Sequence, residues 1–130
     1  MKIPNLGPVQ LKIMQYLWSK NRANAKEITE TLNISDPIAH STVQTLLRQL
    51  EEKKIVSHES EDRTFVFFPL IQEADYKRRA AREFLGNMFA GSPSELFAHL
   101  LESEKIDPGE LEKIRELIRR KKETRDTPEA

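Results

Sequence analysis

At 130 residues and 15.1 kDa the chain has room for one domain, or one domain with a smaller helical appendage. Its 21 basic and 21 acidic residues cancel, so no strongly basic surface announces a nucleic-acid partner; residues 1–70 carry 9 Lys and Arg against 8 Asp and Glu, and residues 71–130 carry 12 against 13. The absence of cysteine excludes disulfides and thiolate metal sites, and no apolar N-terminal segment reaches the length of a signal peptide or membrane span, so a cytoplasmic protein is expected.

Residues 8–20 read as a helix with Pro8 at its first position, Ile13 and Leu17 on one apolar row, and Leu11, Met14 and Trp18 on another. Trp18 is assigned to the core. Residues 21–25 are expected to turn, with Asn24 as N-cap of a short helix through Leu32 that turns Ile28 and Leu32 inward. Residues 33–40 form the next turn. There Asp36-Pro37 offers an early start to the following helix, and Ser41-x-x-Gln44 matches a capping box.

In the segment STVQTLLRQLEEKKIV, residues 41–56, Val43, Leu46, Leu47 and Leu50 fall at i, i+3, i+4 and i+7, one apolar stripe on a helix. The opposite face carries Thr42, Gln44, Thr45, Arg48 and Gln49, and no acid occurs from Pro37 to Leu50. Amide, hydroxyl and guanidinium groups on such a face can read base edges in the major groove. An acid-free run of this length arises by chance about one time in ten, and polar helix faces are usually just solvated. The order of the flanking elements therefore has to decide. Thr42, Thr45 and Arg48 are the preferred readers, and Gln44 is a candidate if it is not spent on the cap; Ser41 at the helix start is a further DNA-binding candidate, and His40 before the helix is either a phosphate contact or surface filler.

The next run reads as a β-ribbon: a strand over residues 55–58, a turn at 60–62 and a return strand over 63–68, with Phe65 and Phe67 on one side and Val66 and Phe68 on the other. Pro69 is expected to end the pairing. Arg63 at the tip can grip phosphate or enter the minor groove, with His58 as a second candidate contact, whereas Glu59, Glu61 and Asp62 beside it oppose phosphate. Helix-turn-helix followed by a ribbon is the order of a winged helix, so the expected class is mainly α with a small β-ribbon.

From Gln72 the pattern is purely helical. A long helix is expected over residues 74–89, broken by Gly91-Ser92-Pro93. A short one follows over 94–102, and a last one is opened by Asp107-Pro108-Gly109-Glu110. Phe84, Met88 and Phe89, then Leu96, Phe97 and Leu100, then Leu111, Ile114 and Ile118 are more apolar surface than three short helices can enclose alone. They form the candidate interface of a homodimer. The expected organisation is a DNA-binding winged helix at 1–71, a helical dimerisation region at 72–122 and a disordered tail at 123–130. His40, His58 and His99 lie far apart without metal-ligand spacing, and no phosphate loop or Ser/His/Asp arrangement stands out, so neither metal, cofactor nor catalysis is expected.

This layout resembles the penicillinase-repressor family of bacterial transcription regulators, the BlaI/MecI/CopY group, from about Leu6 to Lys122. The matching segments are LGPVQLKIMQYLW, STVQTLLRQLEEKKIV, DRTFVFFPLIQEADY, FLGNMFAGSPSELFAHLLE and DPGELEKIRELI. The resemblance implies a dimeric repressor whose winged helix binds a pseudo-palindromic double-stranded operator with TACA/TGTA-like half-sites and whose C-terminal helices dimerise. The family's β-lactam branch further implies a membrane sensor-protease, or another protease, as the partner that leads to induction. Three departures stand in this chain. Lys54 occupies the place of a usual glycine after the reading helix. The C-terminal cysteines of the copper-responsive branch are missing, which removes copper sensing through thiolates. His99-Leu100 stands where the β-lactam branch is cleaved near an Asn-Phe bond. The alternative to a DNA-binding repressor is a winged helix used only for protein contacts, since fold does not dictate function.

Overall fold

The computed structural model describes residues 5–103 and 105–126. Its elements are α1 (Pro8–Lys20), β1 (Ala23–Asn24), α2 (Ala25–Leu32), α3 (His40–Glu52), β2 (Val56–Glu61), β3 (Thr64–Pro69), α4 (Glu73–Phe89), α5 (Pro93–Ser103) and α6 (Pro108–Asp126). They divide into two compact units that meet in sequence between Glu83 and Phe84, so α4 contributes to both.

In the first unit the apolar stripes converge. Ile13, Met14 and Leu17 of α1, Ile28 of α2 and Val43, Leu47 and Leu50 of α3 are fully buried in one cluster, joined by Ala23, Ile55, Val56 and Phe67. Burying side chains of this size stabilises the fold by about 1.5–3 kcal/mol each, which makes this cluster the main favourable contribution of the unit. Trp18 sits at the edge of the core, only partly buried. Its indole N–H requires an acceptor, which the Ile71 carbonyl supplies at 2.9 Å, and its ring lies 5.6 Å from that of Tyr76. These contacts hold the first turns of α4 to the winged helix. Gln10 is buried as well, and both ends of its amide are satisfied: Oε1 accepts from the Gly7 N–H at 3.0 Å and Nε2 donates to Gln49 Oε1 at 3.1 Å.

Asn24 caps α2 as expected, accepting from the Glu27 N–H at 2.8 Å while Glu27 accepts from the Asn24 N–H at 3.3 Å. Ala23 and Asn24 are also a strand, where the sequence predicts only a turn. They pair antiparallel with Phe67 and Val66, giving a sheet of order β1-β3-β2. A two-residue strand is too short to carry a period-2 signal, so only its partner reveals it. Pro69 lies inside the ribbon, opposite Val56. It stands at the end of β3, where a missing N–H costs no ladder bond further along.

Two left-handed turns shape the wing. α3 ends in a Schellman motif: Ile55 N–H bonds to Leu50 O at 3.0 Å and Lys54 N–H to Glu51 O at 2.9 Å, with Lys54 at φ 63°. The hairpin tip is the two-residue loop Asp62-Arg63, with φ 48° and 67°, the positive values that a tight hairpin requires.

In the second unit Ser92 accepts from the Glu95 N–H to open α5, and Asp107 accepts from the Glu110 N–H to open α6. The last helix runs to Asp126, so residues 123–126 are helical rather than part of a tail, and residues 127–130 of the expected tail lie outside the described residues. Pairs of Glu116 with Arg119 and Arg120, and of Arg119 with Glu123, line this exposed stretch at helical spacing. The Arg119 guanidinium holds the Glu116 carboxyl down to a pKa of about 2.

The strain at Lys54 is testable. Lys54→Gly removes a Cβ from a left-handed position and should raise stability by about 1 kcal/mol, read as a higher urea midpoint at unchanged slope.

Candidate nucleic-acid interface

Because Val43, Leu47 and Leu50 are fully buried, the far side of α3 must face outward. Ser41, Thr42, Gln44, Thr45 and Arg48 are all exposed on it. α3 begins at His40 behind an Ala39 N-cap that makes no side-chain cap bond, so the Ser41/Gln44 capping box predicted from the sequence does not form. The helix starts two residues before the position a Ser41 cap would give. Asn33 organises the turn ahead of it, accepting from the Ile38 N–H at 3.0 Å and donating to the carbonyls of Thr29 and Ile38 at 2.8 and 2.9 Å. Gln44 is thereby left free of the backbone. The Thr45 hydroxyl instead donates to the Ser41 carbonyl at 3.0 Å, which leaves it only acceptor capacity outward. Gln49 is exposed too, but Gln10 takes its side-chain carbonyl oxygen.

Gln44, Arg48 and His40 from α3 line a groove of about 560 Å³ together with Lys26 of α2 and Arg63, Thr64 and Phe65 of the wing. Ser41, Thr42 and Thr45 lie outside it on the same helix. His40 Nδ1 is 3.3 Å from Thr29 Oγ1. Neither Arg48 nor Arg63 pairs with a carboxylate among the described residues. Among the described residues Glu51 is the one carboxylate lining this groove; it is hydrogen-bonded to His58 Nδ1, and the His58 ring stacks on Phe65 at 4.1 Å and lies 5.4 Å from Phe67. His58 is therefore engaged across the α3–β2 junction, and Glu51 does not stand alone before an incoming anion.

Two of the three wing acids are also engaged, whereas Asp62 has no ion pair among the described residues. Arg22 Nη2 donates to Glu59 at 3.0 Å and to Glu61 at 2.7 Å. The hydrogen bond with Glu59 raises the Arg22 pKa further above its already high value. No signal in the sequence marks Arg22, which precedes Glu59 by 37 residues.

In the second unit no described residue is buried. Phe84, Met88, Phe97, Leu100, Leu111 and Ile118 are exposed, Met88 by 64% and Ile118 by 51%, whereas Phe89, Leu96 and Ile114 are half-buried. Phe89 lies 5.8 Å from Phe84 and 5.5 Å from His99. Leu101 and Leu117, outside the candidate interface set, are exposed by 56% and 63%. The His99-Leu100 bond lies within α5, both residues exposed.

Residues 6–120 match the model of the penicillinase repressor family. The chain belongs to that family. It is a family of transcriptional repressors, not of enzymes. The penicillinase repressor of Bacillus licheniformis is 26% identical over 117 residues, covering 90% of this chain and 91% of that protein. The methicillin resistance regulatory protein MecI of Staphylococcus aureus (strain N315) is 22% identical over 120 residues, covering 92% and 98%. Among solved structures, the Bacillus licheniformis BlaI monomeric form in complex with the blaP half-operator superposes with a TM-score of 0.50 at 33% identity, over 58% of this chain and 92% of that one. Among the described residues no helix is long and apolar enough to cross a membrane.

Ser41 separates the two descriptions of the helix start. A capping serine replaced by alanine costs about 1 kcal/mol. At the exposed second helical position seen here, Ser41→Ala should change stability by less than about 0.5 kcal/mol, measured by urea denaturation.

Proposed function

We propose that this chain is a dimeric transcriptional repressor that binds a pseudo-palindromic operator, with α3 in the major groove and the Asp62-Arg63 tip on the adjacent backbone or minor groove. The observation that carries the reading is the convergence of Gln44, Arg48 and Arg63 on one groove whose single carboxylate among the described residues is already bonded to His58. Membership of a repressor family supports it, as does the 33% identity to a winged helix described in complex with a half-operator.

Arg48 reads a base. An arginine that bonds guanine through two hydrogen bonds supplies about 1–3 kcal/mol of discrimination. Arg48→Ala should lower operator affinity and shrink its margin over random DNA in gel-shift competition; an equal loss on every sequence would make Arg48 a phosphate clamp. Arg63 works electrostatically, so Arg63→Ala should weaken binding on all sequences and reduce the salt slope by about one unit or less.

Dimerisation is the second half of the proposal. The exposed Phe84, Met88, Phe97, Leu100, Leu111 and Ile118 make an apolar surface that a two-fold partner would cover. Two reading helices would then meet one face of DNA about one turn, roughly 34 Å, apart. Doubling the contacts on one operator also reconciles a net charge of zero with DNA binding. Sedimentation of the full chain should give a dimer at micromolar concentration. A monomer at tens of micromolar would overturn the dimer and the palindromic operator with it.

A further inference from the structure

The ribbon from Glu59 to Arg63 holds three carboxylates, Glu59, Glu61 and Asp62, against one cation, Arg63. Left free, such a tip would be repelled by phosphate. The two glutamates share a face. Register places Glu59 opposite Val66 and Glu61 opposite Thr64, on the side of the sheet away from Phe67 and His58. Arg22 lies across that face. One nitrogen of its guanidinium donates to both carboxylates, and the guanidinium carbon stands 5.9 Å from the centre of the Phe68 ring.

Backbone fixes this arrangement. Asn21, at φ 71°, turns the chain off α1 with its N–H on the Leu17 carbonyl at 2.7 Å, and Ala23 and Asn24 then pair with β3. Arg22 is thus held between a helix end and a strand of the same sheet, so its reach to the wing does not depend on side-chain attraction alone.

We infer that Arg22 is a positioning residue for DNA binding: it holds Glu59 and Glu61 on the outer face of the wing and neutralises them in part, so that Arg63 can approach phosphate. The inference rests on the DNA-binding reading and adds to it a residue that need not touch DNA. A purely structural role is the weaker account, because exposed ion pairs contribute little to stability, and the carboxylates here are 59% exposed.

The test is a mutant cycle on the full chain, with affinity measured by fluorescence anisotropy on an end-labelled mixed-sequence DNA duplex at low salt, where phosphate contacts dominate. Arg22→Gln should weaken binding by about tenfold, the size expected for two carboxylates released near several phosphates. The same change in a Glu59→Gln/Glu61→Gln background should cost less than about twofold. Arg22→Lys, which keeps a cation beside the pair, should retain most of the wild-type affinity. An equal loss in both backgrounds would show that Arg22 itself grips phosphate and would overturn the inference; so would no loss in the wild-type background. Should Arg22→Gln fail to fold by circular dichroism, Glu59→Gln/Glu61→Gln in the otherwise wild-type chain decides. A gain below about threefold supports neutralised carboxylates, and a gain of about tenfold or more overturns the clamp. A wild-type chain without salt-dependent affinity for the duplex would overturn the DNA reading itself, whereas a binding wild type with an indifferent Arg22 overturns the clamp alone.

Discussion

Burial of one side of α3 is the constraint on which the rest of the molecule depends. Val43, Leu47 and Leu50 have no solvent contact, and the helices that cover them, α1 and α2, bring their own fully buried residues to the same cluster. A helix held along such a stripe cannot rotate without exposing it, at a cost of several side chains' worth of transfer free energy. The outward direction of Gln44 and Arg48 is therefore fixed by residues that never meet the groove. The Schellman turn at Lys54 extends the same constraint to the wing, because it starts Ile55 and Val56 into the core and sets the angle at which the ribbon leaves the helix.

The electrostatics of this face are arranged by pairing rather than by composition. A net charge of zero would argue against a polyanionic partner if every charge were equally available. They are not. Glu51 faces His58, Glu59 and Glu61 face Arg22, and Asp36 lies 3.4 Å from Lys12, whereas Arg48 and Arg63 have no carboxylate partner among the described residues. Such exposed pairs do little for stability. Their consequence is positional, since they decide which charges an approaching phosphate meets first.

The two units differ in how complete they are. The winged helix has a closed core with no unsatisfied buried side-chain polar atom among the described residues. The unit beginning at Phe84 has amphipathic helices, sound caps at Ser92 and Asp107, and no buried residue among those described. Caps and periodicity are local properties and suffice to form helices, but a core needs surfaces that face one another.

Local rules made much of this protein legible in its sequence. The 3.6-residue periodicity of α1 and α3, the Asn24 and Asp107 caps and the alternation of the ribbon are written in neighbouring residues, and the structure has each of those elements, with the hairpin tip moved from residues 60–62 to 62–63 and both strands running one residue or more further along the chain. The apolar back of α3 also implied its polar front. What tertiary structure alone decided involves partners distant in sequence. β1 exists only because β3 passes beside it; the Gln49 carbonyl oxygen is taken because Gln10 lies within reach; Trp18 sits at the core's edge because the Ile71 carbonyl takes its N–H. The earlier start of α3 has a local origin instead, since Asn33 and Ile38, five residues apart, set the turn ahead of the helix without a Ser41 cap. Arg22 is the extreme case. Nothing near it in sequence distinguishes it from any surface arginine, because its meaning lies in two carboxylates that only the sheet brings within 3.0 Å.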